Sequence, residues 1–271
     1  MPPLTRIFSD LHFGDRASRV TRLAQLGPLL EGVDELVLNG DTLDTRPGPA
    51  PAHTAAIRAE VADFMRTAVP AARLLTGNHD ADISPEHTAD LADGRVFAVH
   101  GDVLFDDIVP WGRDAPLIGR LIAVELAALS PPRELSLEQR LLVWRRVAAR
   151  IPQRHQSERH GLKYLLHFAA DTIWPPLRVA RILRAWRDAP RRAAELLRRH
   201  RPAAKLILTG HTHQPGCWPM ADGVTVVNTG SFCRPLGGCF VDVRGDEALV
   251  RRVRRQGAEF RPGEIVARFA L

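Results

Sequence analysis

The sequence predicts an α/β fold in which βαβ units come first and antiparallel strands come last. Over the first hundred residues, short apolar runs alternate with stretches of helical spacing, which is typical of strands joined by helices. Polar clusters follow directly on the apolar runs, as they do at the active-site edge of an α/β sheet. From about residue 112 the β-like runs stop, and an Arg-rich stretch of helical spacing replaces them.

The first half of the chain contains four predicted strands, at 4–10, 35–39, 73–76 and 96–99. Helical spacing predicts two helices, at 18–31 and 53–67. The Pro/Gly/Ala-rich stretch 46–52 predicts a loop. Ser84, which precedes Pro85, predicts the start of another helix, because serine caps helices and proline favours the first helical position.

Helical spacing dominates the second half of the chain, at 135–151, 162–174, 179–186 and 189–200. Further strands are predicted at 205–209 and 224–227, with a hairpin formed by 239–243 and 248–253. We therefore predict a core made of residues 1–111 and 187–271. The Arg-rich helical insertion, residues 112–186, is called the predicted lobe below.

Charge is distributed unevenly along the chain. Residues 112–204 carry 19 Lys and Arg against 8 Asp and Glu, whereas the whole chain has a net charge of only +6. The part of the chain that bears the polar clusters is therefore acidic. Nearly all the basic residues are Arg, whose planar guanidinium suits bidentate contacts with phosphate.

Cysteine usage and hydropathy limit the class of protein. Three cysteines are too few for a disulfide framework, and no further Cys or His pair accompanies them at zinc-finger spacing. The chain opens without a basic-then-apolar signal segment, and its longest mostly apolar stretch, 116–129, is too short and too charged to span a bilayer. These features predict a cytoplasmic protein, with a peripheral association with the inner membrane left open.

The chemistry lies in five short clusters: Asp10-Leu11-His12, Gly40-Asp41-Thr42-Leu43-Asp44, Gly77-Asn78-His79-Asp80, His100-Gly101-Asp102 and Gly210-His211-Thr212-His213. Each cluster follows a predicted strand and holds carboxylate, imidazole or amide groups. Alternate residues of a strand point to the same face, so the first and last clusters can each offer two ligands together. The five clusters supply enough N and O ligands for two divalent ions that share a carboxylate. Such a pair suits the hydrolysis of a phosphate ester or phosphoanhydride.

These blocks, with Ser9 before the first, resemble the signature blocks of the calcineurin-like metallophosphoesterase superfamily over roughly 1–110 and 190–255. The resemblance implies a four-layer αββα sandwich, into which the predicted lobe is inserted, and two metals at the strand ends. It implies a first metal held by Asp10, His12 and His213. It implies a second metal held by Asn78, His100 and His211, with Asp41 bridging. Mn²⁺ is the expected metal, with Fe or Zn²⁺ as alternatives, because N and O ligands do not choose among them.

The same resemblance implies that His79 and Asp44 are catalytic residues rather than ligands. His79 would face the leaving group as an acid, and Asp44 would orient it. A carboxylate partner raises the pKa of a histidine and fixes its tautomer. A water bridging the metals would be the nucleophile. Arg234, which follows the turn Asn228-Thr229-Gly230-Ser231, is a candidate for binding the phosphate of the substrate.

The layout also resembles the UDP-2,3-diacylglucosamine pyrophosphatase family, which carries a helical insertion at the same place. The resemblance implies a lipid-linked nucleotide as substrate, cleaved to UMP and lipid X, and a lobe that holds acyl chains and contacts a membrane surface. The alternative is a phosphodiesterase or phosphomonoesterase acting on a soluble nucleotide, a nucleic acid or a phosphoprotein. A non-catalytic metal-binding scaffold is a further alternative. Two other interpretations of the predicted lobe stay open, namely that it contacts nucleic acid or that it is a merely solvated helical bundle.

Overall fold

The computed structural model describes residues 2–129, 135–153 and 176–271. Its strands are β1 (Thr5–Phe8), β2 (Glu35–Asn39), β3 (Ala71–Leu75), β4 (Thr88–Leu91), β5 (Val96–Val99), β6 (Leu206–Thr209), β7 (Gly216–Pro219), β8 (Thr225–Asn228), β9 (Cys239–Arg244), β10 (Glu247–Gln256) and β11 (Glu259–Ala270). The α-helices in the described residues are α1 (Gly27–Leu30), α2 (Pro51–Thr67), α3 (Ala115–Ala127), α4 (Leu137–Ala148) and α5 (Pro176–His200).

The strands form two sheets. One has six strands in the order β11-β10-β9-β1-β2-β3, and the other has five in the order β4-β5-β6-β8-β7. Strands β1, β2 and β3 are parallel to one another, and so are β5, β6 and β8. Because parallel strands end at the same edge, each sheet gathers three carboxyl ends in one place.

The two sheets pack face to face and are covered by helices on their outer faces. Ile7 and Val37 of the six-stranded sheet share one buried cluster with Val96 and Leu208 of the five-stranded sheet. Helix α2 packs on the outer face of the six-stranded sheet through Ile57 and Val61. Helices α3, α4 and α5 pack on the outer face of the other sheet, with these side chains in the shared core: Ile118, Trp144 and Leu197. The predicted αββα sandwich is thereby confirmed.

Two predicted helices in the first half of the chain are wrong. Residues 18–31 contain only a 3₁₀ turn at Leu23–Leu26 and the single turn α1, because Gly27-Pro28 starts a new turn. Ser84 does not cap a helix: its hydroxyl donates to the Leu74 carbonyl oxygen at 2.5 Å and accepts from the Glu86 N–H at 3.1 Å. These bonds form a turn that leads into β4 instead.

The second half of the chain also differs from the prediction. The helices expected at 179–186 and 189–200 form one continuous helix, α5. Pro190 lies inside this helix, and Ala193 and Ala194, one turn further on, are fully buried. Helix α3 and strands β4, β7 and β11 were not predicted from the sequence. The predicted helix 162–174 lies outside the described residues.

The described part of the predicted lobe is helical and consists of α3, α4 and the first half of α5. Its boundary at residue 187 falls inside α5, and the division into core and insertion stays a prediction. Among the described residues, we find no helix with the length and apolarity needed to cross a membrane.

Candidate metal centre

The polar clusters meet where the carboxyl ends of the two sheets adjoin. Asp10 and His12 follow β1, Asp41 follows β2, and Asn78 follows β3, all in the six-stranded sheet. The five-stranded sheet contributes His100 after β5 and the pair His211 and His213 after β6. All seven side chains are buried except that of His213, which is 35% exposed. The structure therefore brings together every metal ligand implied by the resemblance.

The backbone of this centre is held in an unusual conformation. Five of the seven residues have left-handed φ angles between 46° and 64°: Asp10, His12, Asp41, His211 and His213. Such angles are uncommon outside glycine and cost free energy, so they persist only where the surroundings enforce them. Asp10 and His12 are consequently not alternate residues of a regular strand, although the sequence pattern predicts that they are.

Glycine is required at two points of close approach. A Cβ atom at Gly40, whose φ is +83°, would lie 2.5 Å from Nδ1 of His100. A Cβ atom at Gly210 would lie 2.1 Å from Oδ2 of Asp10. Both glycines let one sheet's loop approach a ligand of the neighbouring loop without a clash.

The first cluster contains Asp10, His12 and His213, whose candidate ligand atoms lie within 4.8 Å of one another. Nε2 of His213 is 3.2 Å from Oδ1 of Asp10, and Nε2 of His12 is 3.8 Å from the same oxygen. The two Nε2 atoms are 3.1 Å apart. These side chains converge on one point with their electron-pair donors inward, as ligands of a divalent ion do.

The second cluster contains Asp41, His100 and His211, within the same 4.8 Å limit. Oδ2 of Asp41 lies 3.2 Å from Nε2 of His100 and 3.9 Å from Nε2 of His12, which belongs to the first cluster. Asp41 therefore faces imidazole nitrogens of both clusters.

Backbone carbonyls fix the imidazole tautomers in the second cluster. Nδ1 of His100 donates to the Asn39 carbonyl oxygen at 3.0 Å, which leaves Nε2 to face Asp41. Nε2 of His211 donates to the Ile108 carbonyl oxygen at 2.8 Å, so Nδ1 is the nitrogen left for a metal. Ile108 has a φ of +58°, which is strained for a β-branched residue and directs its carbonyl at the ring. Contacts of this kind orient metal-binding histidines.

The donor set fits divalent cations. Oδ1 of Asn78 is buried and makes no hydrogen bond within the described residues, and the buried Nε2 of His100 faces the Asp41 carboxylate at 3.2 Å. Burial alone would lower the pKa of His12 and His100, but the nearby carboxylates of Asp10 and Asp41 raise these values to about 9 and about 10. Without metal, protons thus bind to His12 and His100 at the positions where cations would bind. These clusters indicate divalent metal binding.

Metal uptake is expected to release protons. The ordinary histidine pKa is 6.5, so the raised values of His12 and His100 mean that both rings are protonated at neutral pH in the metal-free protein. A metal requires the neutral ring, and it must displace these protons. The pairing of the two imidazolium groups with Asp10 and Asp41 stabilises the metal-free fold fully below about pH 6.5, and this stabilisation is lost as the pH rises through 9 to 10.

Calorimetry of Mn²⁺ binding in buffers of different ionisation enthalpy measures this release. We expect proton release at pH 7 and an affinity that increases with pH up to about 9. An affinity independent of pH over this range would contradict the protonation of the two rings.

His79 and Asp44 lie together beside the clusters, as the sequence predicts. Nδ1 of His79 is 3.1 Å from Oδ2 of Asp44, and its backbone N–H donates to Oδ1 of Asp41 at 2.8 Å. The ring packs edge-on against His12, with the centroids 4.9 Å apart. His79 also forms a third cluster of ligand atoms with His12 and Asp41, so it lies near enough to serve either as an acid or as a ligand.

Arg46 is a residue of this centre that the sequence reasoning missed. Its guanidinium donates to both oxygens of Asp44, at 2.9 and 2.7 Å, and Nη2 lies 2.9 Å from Nδ1 of His79. Burial and Arg46 lower the pKa of His79 although Asp44 and Asp41 act to raise it. The expectation that the Asp44 partner leaves His79 with a raised pKa is therefore wrong. The available signal was a basic residue two positions after Asp44.

Asp80 was also given no role from the sequence. It is fully buried, and its carboxylate accepts from the backbone N–H groups of Asp41, Thr42 and Gly77, at 3.0, 2.7 and 2.7 Å. Burial, followed by the charge of Asp41, raises the pKa of Asp80 to about 6. Asp80 thereby ties the loop after β2 to the loop after β3.

The turn Asn228–Ser231 supports the centre without entering the clusters. Asn228 Nδ2 donates to the Gly210 carbonyl oxygen at 2.6 Å and to Thr212 Oγ1 at 3.0 Å, which holds the loop of His211 and His213. Thr229 Oγ1 shares a hydrogen bond with Ser9 Oγ at 2.6 Å, and Ser9 donates to Asp10. The turn therefore holds the loop of His211 and His213 and the side chain of Asp10 in place.

A chamber of about 530 Å³ opens beside the centre. One side is formed by cluster residues that include His12, Asp41 and His79. The other side is largely apolar and is formed by α5 and two loops, with Trp111, Val179, Ile182, Leu183, Trp186 and Leu236. Arg234, predicted to bind substrate, lines the chamber and has an exposed side chain. Helix α5 is attached to the centre where Trp186 Nε1 donates to the Thr212 carbonyl oxygen at 2.9 Å.

An αββα sandwich with two carboxylate–imidazole clusters at its strand ends defines the metallophosphoesterase class of fold. The family model of the calcineurin-like phosphoesterases matches residues 5–215, and the chain belongs to this family. No curated protein matches the chain.

The chain also has some similarity to several solved structures. Vps29 from Cryptosporidium parvum is 10% identical, with a TM-score of 0.46 over 100% of this chain and 99% of that chain. A dimetal phosphatase from Danio rerio is 14% identical, with a TM-score of 0.46 over 97% and 99% of the two chains. Wild-type Vps29 from Entamoeba histolytica complexed with Zn²⁺ is 12% identical, with a TM-score of 0.43 over 97% and 98%.

Proposed function

We propose that this protein hydrolyses phosphate esters or phosphoanhydrides with two divalent metal ions. The observation that carries the proposal is Asp41, whose Oδ2 atom lies within 4 Å of imidazole nitrogens in both clusters. Two ions placed in this way supply an acidified water and offset charge on the phosphoryl oxygens. Mn²⁺ is the metal to test first, with Fe and Zn²⁺ as alternatives.

The residues of the chain provide binding, orientation and proton transfer. Asp10, His12 and His213 would hold the first ion, and Asn78, His100 and His211 would hold the second. Arg234, at the open side of the chamber, binds the phosphate of the substrate. The chamber positions the phosphorus between the two clusters and limits the access of bulk water.

His79 acts as the acid that protonates the leaving oxygen. Because burial and Arg46 lower its pKa, this role needs the protonated ring and should be strongest below neutral pH. Its position on the chamber wall, next to His12 and Asp41, supports this role. Asp44, itself held by the bidentate contact with Arg46, fixes the orientation of the ring. A rigid partner of this kind improves the alignment of a proton donor.

The apolar wall of the chamber favours an amphiphilic substrate over a small polar one. A phosphate group at the clusters would leave the rest of the molecule against Trp111, Ile182 and Leu183. UDP-2,3-diacylglucosamine, cleaved to UMP and lipid X, is the specific substrate we propose. Helix α5 supports a peripheral contact with an anionic membrane surface, because exposed Leu177 and Leu183 lie among arginines on it. Such a contact would place the protein in the cytoplasm at the inner membrane.

Leu183→Glu is expected to reduce UMP release from UDP-2,3-diacylglucosamine by about 10-fold, since it puts a charge on the apolar wall. Hydrolysis of a small aryl phosphodiester should change little, because that substrate does not reach the wall. The matched control is Val124→Glu on α3, where a similarly exposed apolar side chain lies outside the residues that line the chamber.

UMP release and aryl phosphodiester cleavage are measured side by side with the Mn²⁺-loaded protein in mild detergent. Cleavage of the aryl ester alone would retire the lipid substrate and direct the search to soluble nucleotides and nucleic acids. Binding of both ions without cleavage of any substrate would favour the metal-binding scaffold.

A further inference from the structure

Arg145, on helix α4, makes a buried contact that joins the two sheets behind the metal centre. Its Nη1 donates to Oδ2 of Asp102 at 2.5 Å, and its Nη2 donates to Oδ1 of the same carboxylate at 2.8 Å. Its Nε donates to Oγ1 of Thr76 at 2.8 Å. Arg145 is 4% exposed, and both of its partners are fully buried.

The two partners of Arg145 belong to different sheets. Thr76 directly follows β3 of the six-stranded sheet and precedes Asn78 by two residues. Asp102 follows β5 of the five-stranded sheet and comes two residues after His100. One guanidinium therefore sets the spacing between the two loops that present Asn78 and His100. Two residues of chain span only about 7 Å, so a shift at either partner is passed on to the neighbouring ligand.

The type of contact indicates that Arg145 fixes the positions of its partners rather than adding stability to the fold. A buried ion pair adds little net stability compared with apolar side chains of the same volume, because desolvation offsets the attraction. A bidentate Arg–carboxylate pair, however, fixes both the distance and the angle between its partners. The third donor of the same guanidinium engages Thr76, whose Oγ1 can then donate to Nδ1 of His87 at 2.7 Å.

The contact is specific to one of the two clusters. None of its hydrogen bonds reaches the loop of Asp10 and His12 or the loop of His211 and His213. Asp10 is instead supported through the Ser9–Thr229 bond, and the loop of His211 and His213 is held by Asn228. Loss of Arg145 should consequently disturb the Asn78 and His100 side of the centre and spare the other side.

We propose that Arg145 is a positioning residue for the second metal ion, acting through Thr76 and Asp102 on the spacing of Asn78 and His100. The inference rests on the dinuclear site of the proposed function. It also assigns a role to α4, since this helix of the predicted lobe would set the metal affinity of the core.

The test is Mn²⁺ binding by the Arg145→Lys variant of the full chain after removal of metal by chelation. Lysine keeps the buried positive charge but cannot contact both carboxylate oxygens and Thr76 together. We expect the wild type to bind two ions and the variant to bind the second ion about 10-fold more weakly, with the first affinity unchanged. At two equivalents of Mn²⁺, electron paramagnetic resonance should show a coupled pair in the wild type and isolated ions in the variant.

Arg146→Lys is the matched control, because Arg146 neighbours Arg145 on α4 but its side chain is 59% exposed and faces Glu125. This control should bind both ions as the wild type does. Thr76→Val removes one of the three hydrogen bonds and leaves the ion pair in place, so it decides the question if Arg145→Lys fails to fold. This variant should also bind the second ion more weakly than the wild type does.

Wild-type affinity for both ions in Arg145→Lys, or an equal weakening of both, would overturn the positioning role. A merely structural contribution would lower the melting temperature without this selectivity. The readout is independent of turnover: a wild type that binds two ions and cleaves no phosphate substrate refutes the proposed function, while the selective effect of Arg145 can still be measured.

Discussion

Asp41→Asn is expected to lower aryl phosphodiester hydrolysis by about 10³-fold or more, which corresponds to about 4 kcal/mol of transition-state stabilisation. Asp41 is the carboxylate that faces both clusters, so the change removes the one negative charge that the two metal positions would share. The variant side chain has the same shape and keeps an oxygen that can accept from the His79 N–H, as Oδ1 of Asp41 does at 2.8 Å. The fold should therefore be retained while the second ion binds poorly.

Activity is measured with Mn²⁺ in excess, and folding is checked by thermal unfolding in the presence of chelator. Asp15→Asn is the matched control, since Asp15 lines the same chamber but belongs to none of the ligand clusters. This control should hydrolyse the ester at close to the wild-type rate. A folded Asp41→Asn variant with undiminished turnover would refute the bridging role and favour a scaffold.

His79→Ala is expected to slow the hydrolysis of esters with poor leaving groups by about 10²- to 10⁴-fold, the usual contribution of a general acid. Esters with good leaving groups should slow much less, because a stable leaving anion does not need the proton. A series of aryl phosphodiesters of increasing leaving-group pKa measures the difference. In the variant the rate should fall more steeply along this series than in the wild type.

The control for this substitution is His53→Ala, an exposed histidine on α2. The metal content of His79→Ala must be measured as well, because His79 also lies within reach of His12 and Asp41 as a possible ligand. Equal losses for all leaving groups, accompanied by loss of an ion, would make His79 a ligand and refute its role as the acid.

The convergence of the metal ligands was predictable because parallel strands present their carboxyl ends at one edge. The runs before Asp10, Asp41, Asn78, His100 and His211 could be recognised as strands, and this placed the polar clusters together. Which groups face one another across the two sheets could not be predicted. The contact of Arg145 with Thr76 and Asp102 depends on how α4 packs, and no local pattern encodes it.

Local propensity failed where tertiary contacts decide the structure. Ser84-Pro85 has the residues of a helix start, but Ser84 bonds to the Leu74 carbonyl oxygen and the chain enters β4. Pro190 should end a helix, yet α5 continues through it because its inner face is buried against the five-stranded sheet. The predicted rise in the pKa of His79 was wrong because burial and the positive charge of Arg46 lower it. The sequence shows Arg46 two positions after Asp44, but not that its guanidinium reaches His79.

The most direct test of a dinuclear hydrolase is to titrate the metal-free protein with Mn²⁺ and to measure the rate of bis(4-nitrophenyl) phosphate hydrolysis at each metal loading. The arrangement of both clusters around Asp41 predicts little turnover at one ion per chain and a rise to a plateau at two. A plateau already reached at one ion, or no turnover at any loading of a folded protein, would contradict it.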